Sequence, residues 1–444
     1  MSDLPSYSDY KESGVEWLGR IPSHWVQMSL KYSLAIPITD GPHETPEILT
    51  EGVPFISAEA VKNDKLDFHK KRGYISEEDD LKFSKKYKPK YGDVYMVKSG
   101  ATTGNVARVE TYERFNIWSP LAVMRPNQKY ITTDYLFYTL KSEYFNNFVR
   151  TKWNMGTQQN IGMGILANIS TIIPPLEEQK AITRYLDKKL AQIDTLITKQ
   201  QALLEKLAEQ RIALISNAVT KGLNPDVEMK ESGVEWLGKI PSHWDIWKIV
   251  HTTDYIGSGT TPKIDNNEYY DGDTLWVTTS ELRETLIEDT KQHVSELAIT
   301  TYSALKKYPK NSVAIAMYGA TIGRLGILGK EATFNQACCV FCCSNILDYK
   351  FLYYWLWMRR PILVSLSNGG GQPNLSQDDL KKIRLPLPPK NEQQMIVRYL
   401  EKEITNTDVL QDKINKIITN LKEYRSTLIT QAVTGKIDVR NLAN

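Results

Sequence analysis

The chain of 444 residues has only four cysteines, and all of them lie between Cys338 and Cys343. This clustering excludes a disulfide framework spread over the chain and suits a reducing compartment, so we expect a cytoplasmic protein. The first residues lack the basic and apolar segments of a secretory signal peptide. The longest stretch without formal charge, 153–176, is broken by glycine, asparagine, glutamine and proline, so we expect no membrane contact.

Catalytic motifs and an excess of one charge are also missing. The 55 basic residues are nearly balanced by 52 acidic residues, so any nucleic-acid-binding surface must be local. The chain lacks the phosphate loop G-x-x-x-x-G-K-[ST], the G-x-S-x-G and H-E-x-x-H motifs, and the N-P-P-Y tetrapeptide of amino-methyltransferases. The sequence therefore predicts a protein without its own active site.

The cysteine cluster contains a C-x-x-C spacing that could hold zinc. No second knuckle and no nearby histidine completes such a site. The corresponding positions of the first half are Ser119, Pro120, Val123 and Met124, which cannot bind zinc. We therefore predict that the cysteines are small buried core residues.

The chain is a tandem duplication. Residues 11–25, here called repeat 1, return almost unchanged as repeat 2 at 230–244. The turn at 100–104 returns at 319–323. From Gln158 onward the two halves are related by a spacing of 214 residues, and both contain Pro-Pro-x-x-Glu-Gln. Because similar frames hold different inserts, we expect the two halves to do the same job on different targets.

A long helix is predicted at the end of each half. After Pro174 and Pro175 no proline or glycine occurs until Gly222, and after Pro388 and Pro389 none occurs until Gly435. Apolar residues follow a near-heptad spacing, which predicts that the two helices pair as a coiled coil; the alternative is two surface helices, each on its own domain. The predicted helix-pair interface consists of Ile182, Leu186, Ile193, Ile197, Leu204, Leu207, Leu214, Ile396, Leu400, Leu410, Ile414, Ile417, Leu421 and Leu428.

The inserts are predicted to be mixed α/β and to carry polar loops suited to nucleic acid. Asparagine and glutamine can read adenine, and arginine or lysine can read guanine or hold phosphate. The alternative for each loop is a solvated surface, and the glycine turns would be tight strand connections in either case. The candidate DNA-binding residues are Lys85, Lys86, Lys88, Lys98, Thr102, Thr103, Arg150, Lys152, Asn154, Gln158, Gln159, Asn160, Lys306, Lys307, Tyr318, Thr321, Arg324, Asn368, Gln372 and Asn374.

Taken together, the sequence resembles the specificity subunits of bacterial type I restriction-modification systems. The resemblance covers essentially the whole chain and is carried by the two repeats, the Gly-Ala-Thr-x-Gly turns, Gly371-Gln-Pro-Asn374, the Pro-Pro-x-x-Glu-Gln segments, Asp40-Gly-Pro-His43 and Gly52-Val-Pro-Phe-Ile56. One departure is Thr157-Gln-Gln-Asn160, which stands where the second half keeps Gly-Gln-Pro-Asn.

The resemblance implies a non-catalytic subunit that reads double-stranded DNA with a bipartite, asymmetric site. It implies target recognition domains at 1–172 and 223–386, and spacer helices at 173–222 and 387–444 that form an antiparallel coiled coil with pseudo-two-fold symmetry. Two modification subunits would dock on the helix pair, with two restriction subunits as optional further members. No cofactor is expected in this chain, because S-adenosylmethionine, ATP and Mg²⁺ would belong to those partners.

Two other hypotheses remain open at this point. A complete methyltransferase or nuclease would show activity as a purified chain with S-adenosylmethionine. A purely structural helical adaptor would bind no nucleic acid and would show no salt-dependent affinity for DNA.

Overall fold

The computed structural model describes residues 4–152, 160–365 and 374–442. The chain forms two compact units. Unit 1 comprises Met1–Gln201 and Asn415–Asn444, and unit 2 comprises Ala202–Ile414. Each unit therefore holds the insert of one half of the sequence together with part of each long helix, whereas the boundaries predicted from sequence assigned each helix to a segment of its own.

Unit 1 is mixed α/β. Its strands are β1 (Tyr10–Glu12), β2 (Arg20–Pro22), β3 (Val26–Ser29), β4 (Thr39–Asp40), β5 (Val53–Ile56), β6 (Val61–Lys62), β7 (Lys65–Leu66), β8 (Gly73–Ile75), β9 (Val94–Val97), β10 (Val106–Arg108), β11 (Asn116–Ile117), β12 (Leu121–Met124) and β13 (Ser170–Ile173). Its helices are α1 (Glu77–Ser84), α2 (Thr133–Lys141), α3 (Glu143–Thr151), α4 (Met163–Ala167) and the first part of α5 (Leu176–Lys221).

The core of unit 1 lies between small sheets and helices. One sheet has four strands in the order β10-β9-β12-β4, and another has three in the order β11-β5-β8, in which β11 runs parallel to β5. Because β9 and β12 are buried on both faces, they read as continuous apolar runs. The strand β3 of the first half pairs with β13, which leads directly into α5.

Unit 2 repeats this plan with a different insert. Its strands are β14 (Met229–Glu231), β15 (Lys239–Pro241), β16 (Asp245–Lys248), β17 (Thr253–Gly257), β18 (Thr274–Val277), β19 (Leu286–Ile287), β20 (His293–Val294), β21 (Val313–Ala316), β22 (Leu325–Leu328), β23 (Ala332–Phe334), β24 (Cys338–Cys343) and β25 (Arg384–Leu387). Its helices are α6 (Glu296–Thr301), α7 (Tyr349–Ser365), α8 (Gln377–Lys382) and the first part of α9 (Lys390–Val433).

The main sheet of unit 2 has five strands in the order β17-β24-β21-β22-β19. A three-stranded sheet, β20-β18-β23, pairs β18 parallel to β23, as β5 pairs with β11 in unit 1. The pair β16-β25 leads into α9, just as β3-β13 leads into α5.

Each sequence repeat holds the start of one long helix against the end of the other. In unit 1, Trp25 is fully buried and its Nε1 donates to Oε1 of Glu178 at 3.1 Å. The end of α9 reaches the same tryptophan, since a Cβ on Gly435 would lie 3.1 Å from Cη2 of Trp25. In unit 2, Trp244 is likewise buried, and Gly222 after α5 contacts it. This packing explains why the repeats are nearly identical although the inserts differ.

The glutamine of each Pro-Pro-x-x-Glu-Gln segment secures the junction between strand and helix. Gln179 is fully buried, donates from Nε2 to the carbonyl oxygens of Pro174 and Tyr130, and accepts from the amide of Thr132. Gln393 makes the corresponding bonds to Pro388, Ile346 and Asp348. Because a buried amide must have its donors and acceptors paired, both glutamines fix where the helix begins.

The two long helices pair in antiparallel fashion. In unit 1, Nε of Arg425 on α9 lies 3.0 Å from Oδ1 of Asp194 on α5. In unit 2, Nη1 of Arg211 on α5 lies 2.6 Å from Oδ1 of Asp408 on α9. The later residue of α5 therefore pairs with the earlier residue of α9. These two ion pairs also correspond to each other at the spacing of 214 residues.

Buried and half-buried positions along each helix mark the seam with alternating steps of three and four residues. The seam includes polar residues, namely Gln200, Arg211, Thr407, Gln411 and Arg425. Eight of the fourteen residues predicted for the interface are buried: Ile182, Leu186, Ile193, Leu207, Ile396, Leu400, Ile414 and Leu428. Another four are half-buried, namely Ile197, Leu204, Leu214 and Leu421.

Leu410 and Ile417 are the two exceptions, with 42% and 44% of their surfaces exposed. The prediction placed them in the seam because they are apolar. The seam runs instead through the following residues, Gln411 and Ile418, because the heptad register and not polarity decides which side chains face the other helix.

Candidate nucleic-acid interface

A glycine-bounded turn joins two antiparallel strands at the same place in each unit. In unit 1 it joins β9 to β10, and φ is +102° at Gly100 and +96° at Gly104. In unit 2 it joins β21 to β22, and φ is +81° at Gly319 and +76° at Gly323. Glycine adopts this left-handed region without steric strain. The prediction of tight strand-to-strand turns is therefore confirmed.

The segment before each turn is bridged to an asparagine near the end of the insert of that unit. Ser99 bridges to Asn160, and Tyr318 bridges to Asn374. Both asparagine residues are exposed. The structure thus gathers several predicted DNA contacts beside the turns: Thr102, Thr103 and Asn160 in unit 1, and Tyr318, Thr321, Arg324 and Asn374 in unit 2.

The hydroxyl groups of the first turn differ in availability. Oγ1 of Thr103 donates to the carbonyl oxygen of Gly100 at 2.6 Å, so its proton serves the turn itself. Thr102 is exposed. Of these two predicted contacts, Thr102 is the better placed to donate to a ligand.

A polar cleft of about 510 Å³ opens beside this turn in unit 1. Thr103 and Arg150 line it, together with Lys62, Asn63 and Lys141. Lys141 forms an ion pair with Asp64, and burial lowers its pKa. Lys62, Asn63 and Lys141 were not predicted as contacts, because the hairpin β6-β7 and the end of α2 carry no sequence motif that points to a ligand.

Asp40 organises a second group of charges in unit 1. Its side chain is fully buried, and its Oδ1 lies 2.5 Å from Nζ of Lys86. Its Oδ2 lies 3.2 Å from Nζ of Lys98 and 3.2 Å from Nε2 of His43. Burial by itself raises the pKa of Asp40, but the hydrogen bonds and charges of Lys86 and Lys98 outweigh it and hold the pKa below its ordinary value. Lys86 and Lys98 are therefore held in place by Asp40, which the sequence reasoning did not foresee.

The other basic residues predicted to contact DNA lie elsewhere on the surfaces of unit 1 and unit 2. Lys85, Lys88 and Lys152 are exposed in unit 1. In unit 2, Lys306 lies over the ring of Tyr255, and Lys307 pairs with Glu296, which raises the pKa of Lys307. The predicted contacts Asn154, Gln158, Gln159, Asn368 and Gln372 lie outside the described residues.

The cysteines lie on β24 in the main sheet of unit 2. Cys338 and Cys339 are fully buried, and burial raises the pKa of the Cys339 thiol to about 12. These thiols stay neutral and pack as small apolar residues. Within the described ranges, no three His, Cys, Asp or Glu side chains converge as a metal site would require.

The comparisons with known proteins agree with this arrangement. A family model for the type I restriction modification DNA specificity domain matches residues 42–206 and 242–419, which is more than half of the chain. The chain belongs to this family. As a type I specificity subunit it carries two DNA-recognition domains, one in each unit.

Relatives extend the match along the chain. The type I restriction enzyme MjaVIII specificity subunit of Methanocaldococcus jannaschii is 26% identical over 378 residues, which cover 79% of this chain and 77% of that protein. A chain from a study of complex assembly and conformational transition in the type I R-M system superposes with a TM-score of 0.71 at 15% identity, covering 93% of this chain and 98% of that one. The HsdS subunit from Thermoanaerobacter tengcongensis gives 0.56 at 16% identity, covering 94% and 98%. At such identities the structures show a shared fold.

The described part of this specificity subunit contains no helix that is both long enough and apolar enough to cross a membrane. Its long helices α5 and α9 carry charged residues throughout their length.

Proposed function

We propose that this specificity subunit reads a bipartite, asymmetric site in double-stranded DNA, with one half-site for each unit. The observation that carries the proposal is that both units have the same backbone arrangement but different side chains around it. In both units the same turn and the same bridging asparagine lie together, yet Thr103 and Arg150 border them in unit 1 where Ile322 and Val364 stand in unit 2. A common frame with different side chains is what two readers of different base sequences require.

The helix pair supports a fixed gap between the half-sites. Because α5 has 46 residues and α9 has 44, each is about 65–70 Å long at 1.5 Å per residue. Seam residues and ion pairs join the two helices in both units. A helix pair of this length suits half-sites about one or two turns of DNA apart.

The same helices offer two equivalent surfaces for docking. In unit 1, Leu196 and Ile417 are 46% and 44% exposed, and each directly precedes a seam residue. In unit 2, Leu203 and Leu410 are exposed to a similar degree and occupy the corresponding positions. Single exposed apolar residues are common on protein surfaces, so what supports docking here is that they recur at corresponding positions of both units. Their duplication supports the docking of two copies of one partner, and we assign them to two modification subunits.

In this proposal the chain works in the cytoplasm and has no catalytic role alone. S-adenosylmethionine would be bound by the modification subunits, and ATP and Mg²⁺ by restriction subunits where these are present. The hypothesis of a complete enzyme is tested by incubating the purified chain with S-adenosylmethionine and DNA. We expect no methyl transfer, and turnover would contradict the proposal.

The proposal as a whole is tested by co-expression with the neighbouring modification-subunit gene and genome-wide mapping of methyladenine. We expect one split motif that disappears when the gene for this chain is deleted. A stable complex of three chains that methylates no motif would support the structural adaptor instead.

A further inference from the structure

Unit 2 contains a buried arginine that has no acidic partner among the described residues. Arg359 on α7 is only 5% exposed, and its guanidinium carbon lies 3.4 Å from the centre of the Trp236 ring. Its Nε and Nη1 are buried and have no hydrogen-bond partner among the residues that the structure describes. Burial lowers the pKa of this arginine, but a guanidinium stays protonated in proteins. The charge therefore lacks the pairing that buried charges normally have.

Arg359 lines an open cleft of about 450 Å³. Lys382 and Arg384 border this cleft as well, and both are exposed. The acidic group on its lining is Asp379, which is exposed and accepts a hydrogen bond from Ser376. Three basic groups and one acidic group leave the cleft with a net positive charge, so an anion is the ligand that would complete it.

The first half of the chain has no such arginine. At the spacing of 214 residues, Arg359 corresponds to Phe145, which is buried in the core of unit 1. The structure supports this correspondence, because a Cβ on Gly104 would lie beside Asn146 and one on Gly323 beside Arg360. The tryptophan of the repeat is kept in both units, as Trp17 and Trp236.

We propose that Arg359 binds a phosphate of the DNA backbone beside the half-site that unit 2 reads, an inference that rests on the proposed function. A partner that docks identically on both units would need the same residue in both. Arg359 has no counterpart in unit 1. Residues that distinguish the two half-sites must likewise differ between the units. Asn374 also lines the cleft and bridges to Tyr318 beside the turn. The cleft therefore adjoins two of the DNA contacts that the sequence predicted for unit 2.

The test compares Arg359→Gln with Arg359→Lys in the complete complex of this chain with its modification subunits. The probe is a duplex that carries the motif mapped from the genome, and its Kd is measured between about 50 and 200 mM salt. Loss of one phosphate contact should weaken binding about tenfold at the lower salt concentration and reduce the slope of log Kd against log salt by about one. Arg359→Lys keeps the charge and should keep the slope.

Replacing single phosphates by neutral methylphosphonates locates the contact. One position next to the unit 2 half-site should weaken binding by the unsubstituted complex and have no further effect on Arg359→Gln. Thermal unfolding provides the folding control. Arg359→Gln removes an unpaired buried charge but also its contact with the Trp236 ring, so the two effects should largely offset each other and the Tm should change little.

An unchanged salt slope in an Arg359→Gln complex that still binds the duplex would overturn the phosphate assignment. Release of a modification subunit with an unchanged slope would also overturn it, because the cleft would then bind an acidic side chain of that subunit. Failure of the unsubstituted complex to bind the mapped duplex would contradict the proposed function itself.

Discussion

Asp40 illustrates how one buried carboxylate can hold two predicted DNA contacts. Because its pKa in the folded chain lies below its ordinary value, the carboxylate stabilises the fold above the unfolded pKa of about 3.9, and this contribution is lost as the pH falls through the folded pKa. Lys86 is partly exposed, so solvent screens part of its interaction, whereas Lys98 is nearly buried.

Replacing this carboxylate should therefore be costly at neutral pH. We expect Asp40→Asn to reduce the free energy of unfolding by about 3 kcal/mol at pH 7, because two lysines lose their partner. The difference from the unsubstituted chain should begin to shrink below about pH 4, where the carboxyl of the unfolded chain becomes neutral, and should disappear only as the pH falls through the lower pKa of the folded chain. Urea unfolding at pH 7 and pH 3 measures both, with the exposed Asp9→Asn as the control expected to change little. A difference that stays the same at both pH values would contradict the assignment.

Gly435 is the second residue with a demanding position. Its φ is +69°, and a Cβ there would lie 2.4 Å from Cδ of Pro22. Gly14, also in unit 1, has φ of +68° and nothing within 4 Å of that position. Gly14→Ala should therefore lose about 1 kcal/mol from backbone strain, and Gly435→Ala about 3 kcal/mol or more from strain and overpacking together. Equal losses in chemical unfolding would mean that the end of α9 does not pack on repeat 1 as described.

Single residues also show what the sequence could and could not reveal. The glycine turns were predictable, because the need for positive φ belongs to the local backbone. The pairing of Lys86 with Asp40 was not, because the two are 46 residues apart and a lysine run looks the same whether it binds phosphate or carboxylate. Arg359 was not predicted as a contact, because it matches no motif and the corresponding residue of the first half is phenylalanine.

At the scale of the elements, the predicted bounds of α5 and the predicted start of α9 lie within three residues of the observed ones, whereas the predicted segment 387–444 extends eleven residues past the end of α9 at Val433. The contact register of the two helices was not predicted. Proline before the start and glycine after the end are local signals. The register depends on which side chains face the other helix, and Thr407 and Gln411 occupy seam positions although they are polar. The prediction from apolar residues therefore chose Leu410 and Ile417, each of which lies one position before the seam residue.

Adjacent isoleucines on α9 separate packing from docking. Ile418 is 8% exposed and lies in the seam, whereas Ile417 is 44% exposed. Ile418→Ala should lower the free energy of unfolding by about 2–4 kcal/mol, and Ile417→Ala by less than about 0.5 kcal/mol. Chemical unfolding of the two variants measures this difference, and equal losses would contradict the described register.

Ile417→Glu should instead weaken the docking of the modification subunit at unit 1. The mass of the complex in solution should fall, as the complex is diluted, from the value for two bound modification subunits to the value for one. Unchanged assembly with this variant would remove the support that the exposed apolar pairs give to two docking sites.

At the scale of the whole molecule, the duplication allows two readers to share one spacer. Deleting one heptad from each helix, at 199–205 and 413–419, keeps corresponding positions together. It should shorten the spacer by about 10 Å, or about three base pairs at 3.4 Å each. Methyladenine mapping should then show the same half-sites with a shorter gap. Changed half-sites would contradict the proposal that the helices act only as a spacer.

The central claim is that each unit reads its own half-site, and one measurement tests it most directly. Residues 26–172 are exchanged for the corresponding segment of another specificity subunit, and methyladenine is mapped in cells that carry the modification subunit. We predict that one half of the motif changes while the other half and the gap stay the same. A folded, assembled exchange protein that loses or alters both halves of the motif would contradict independent reading by the two units.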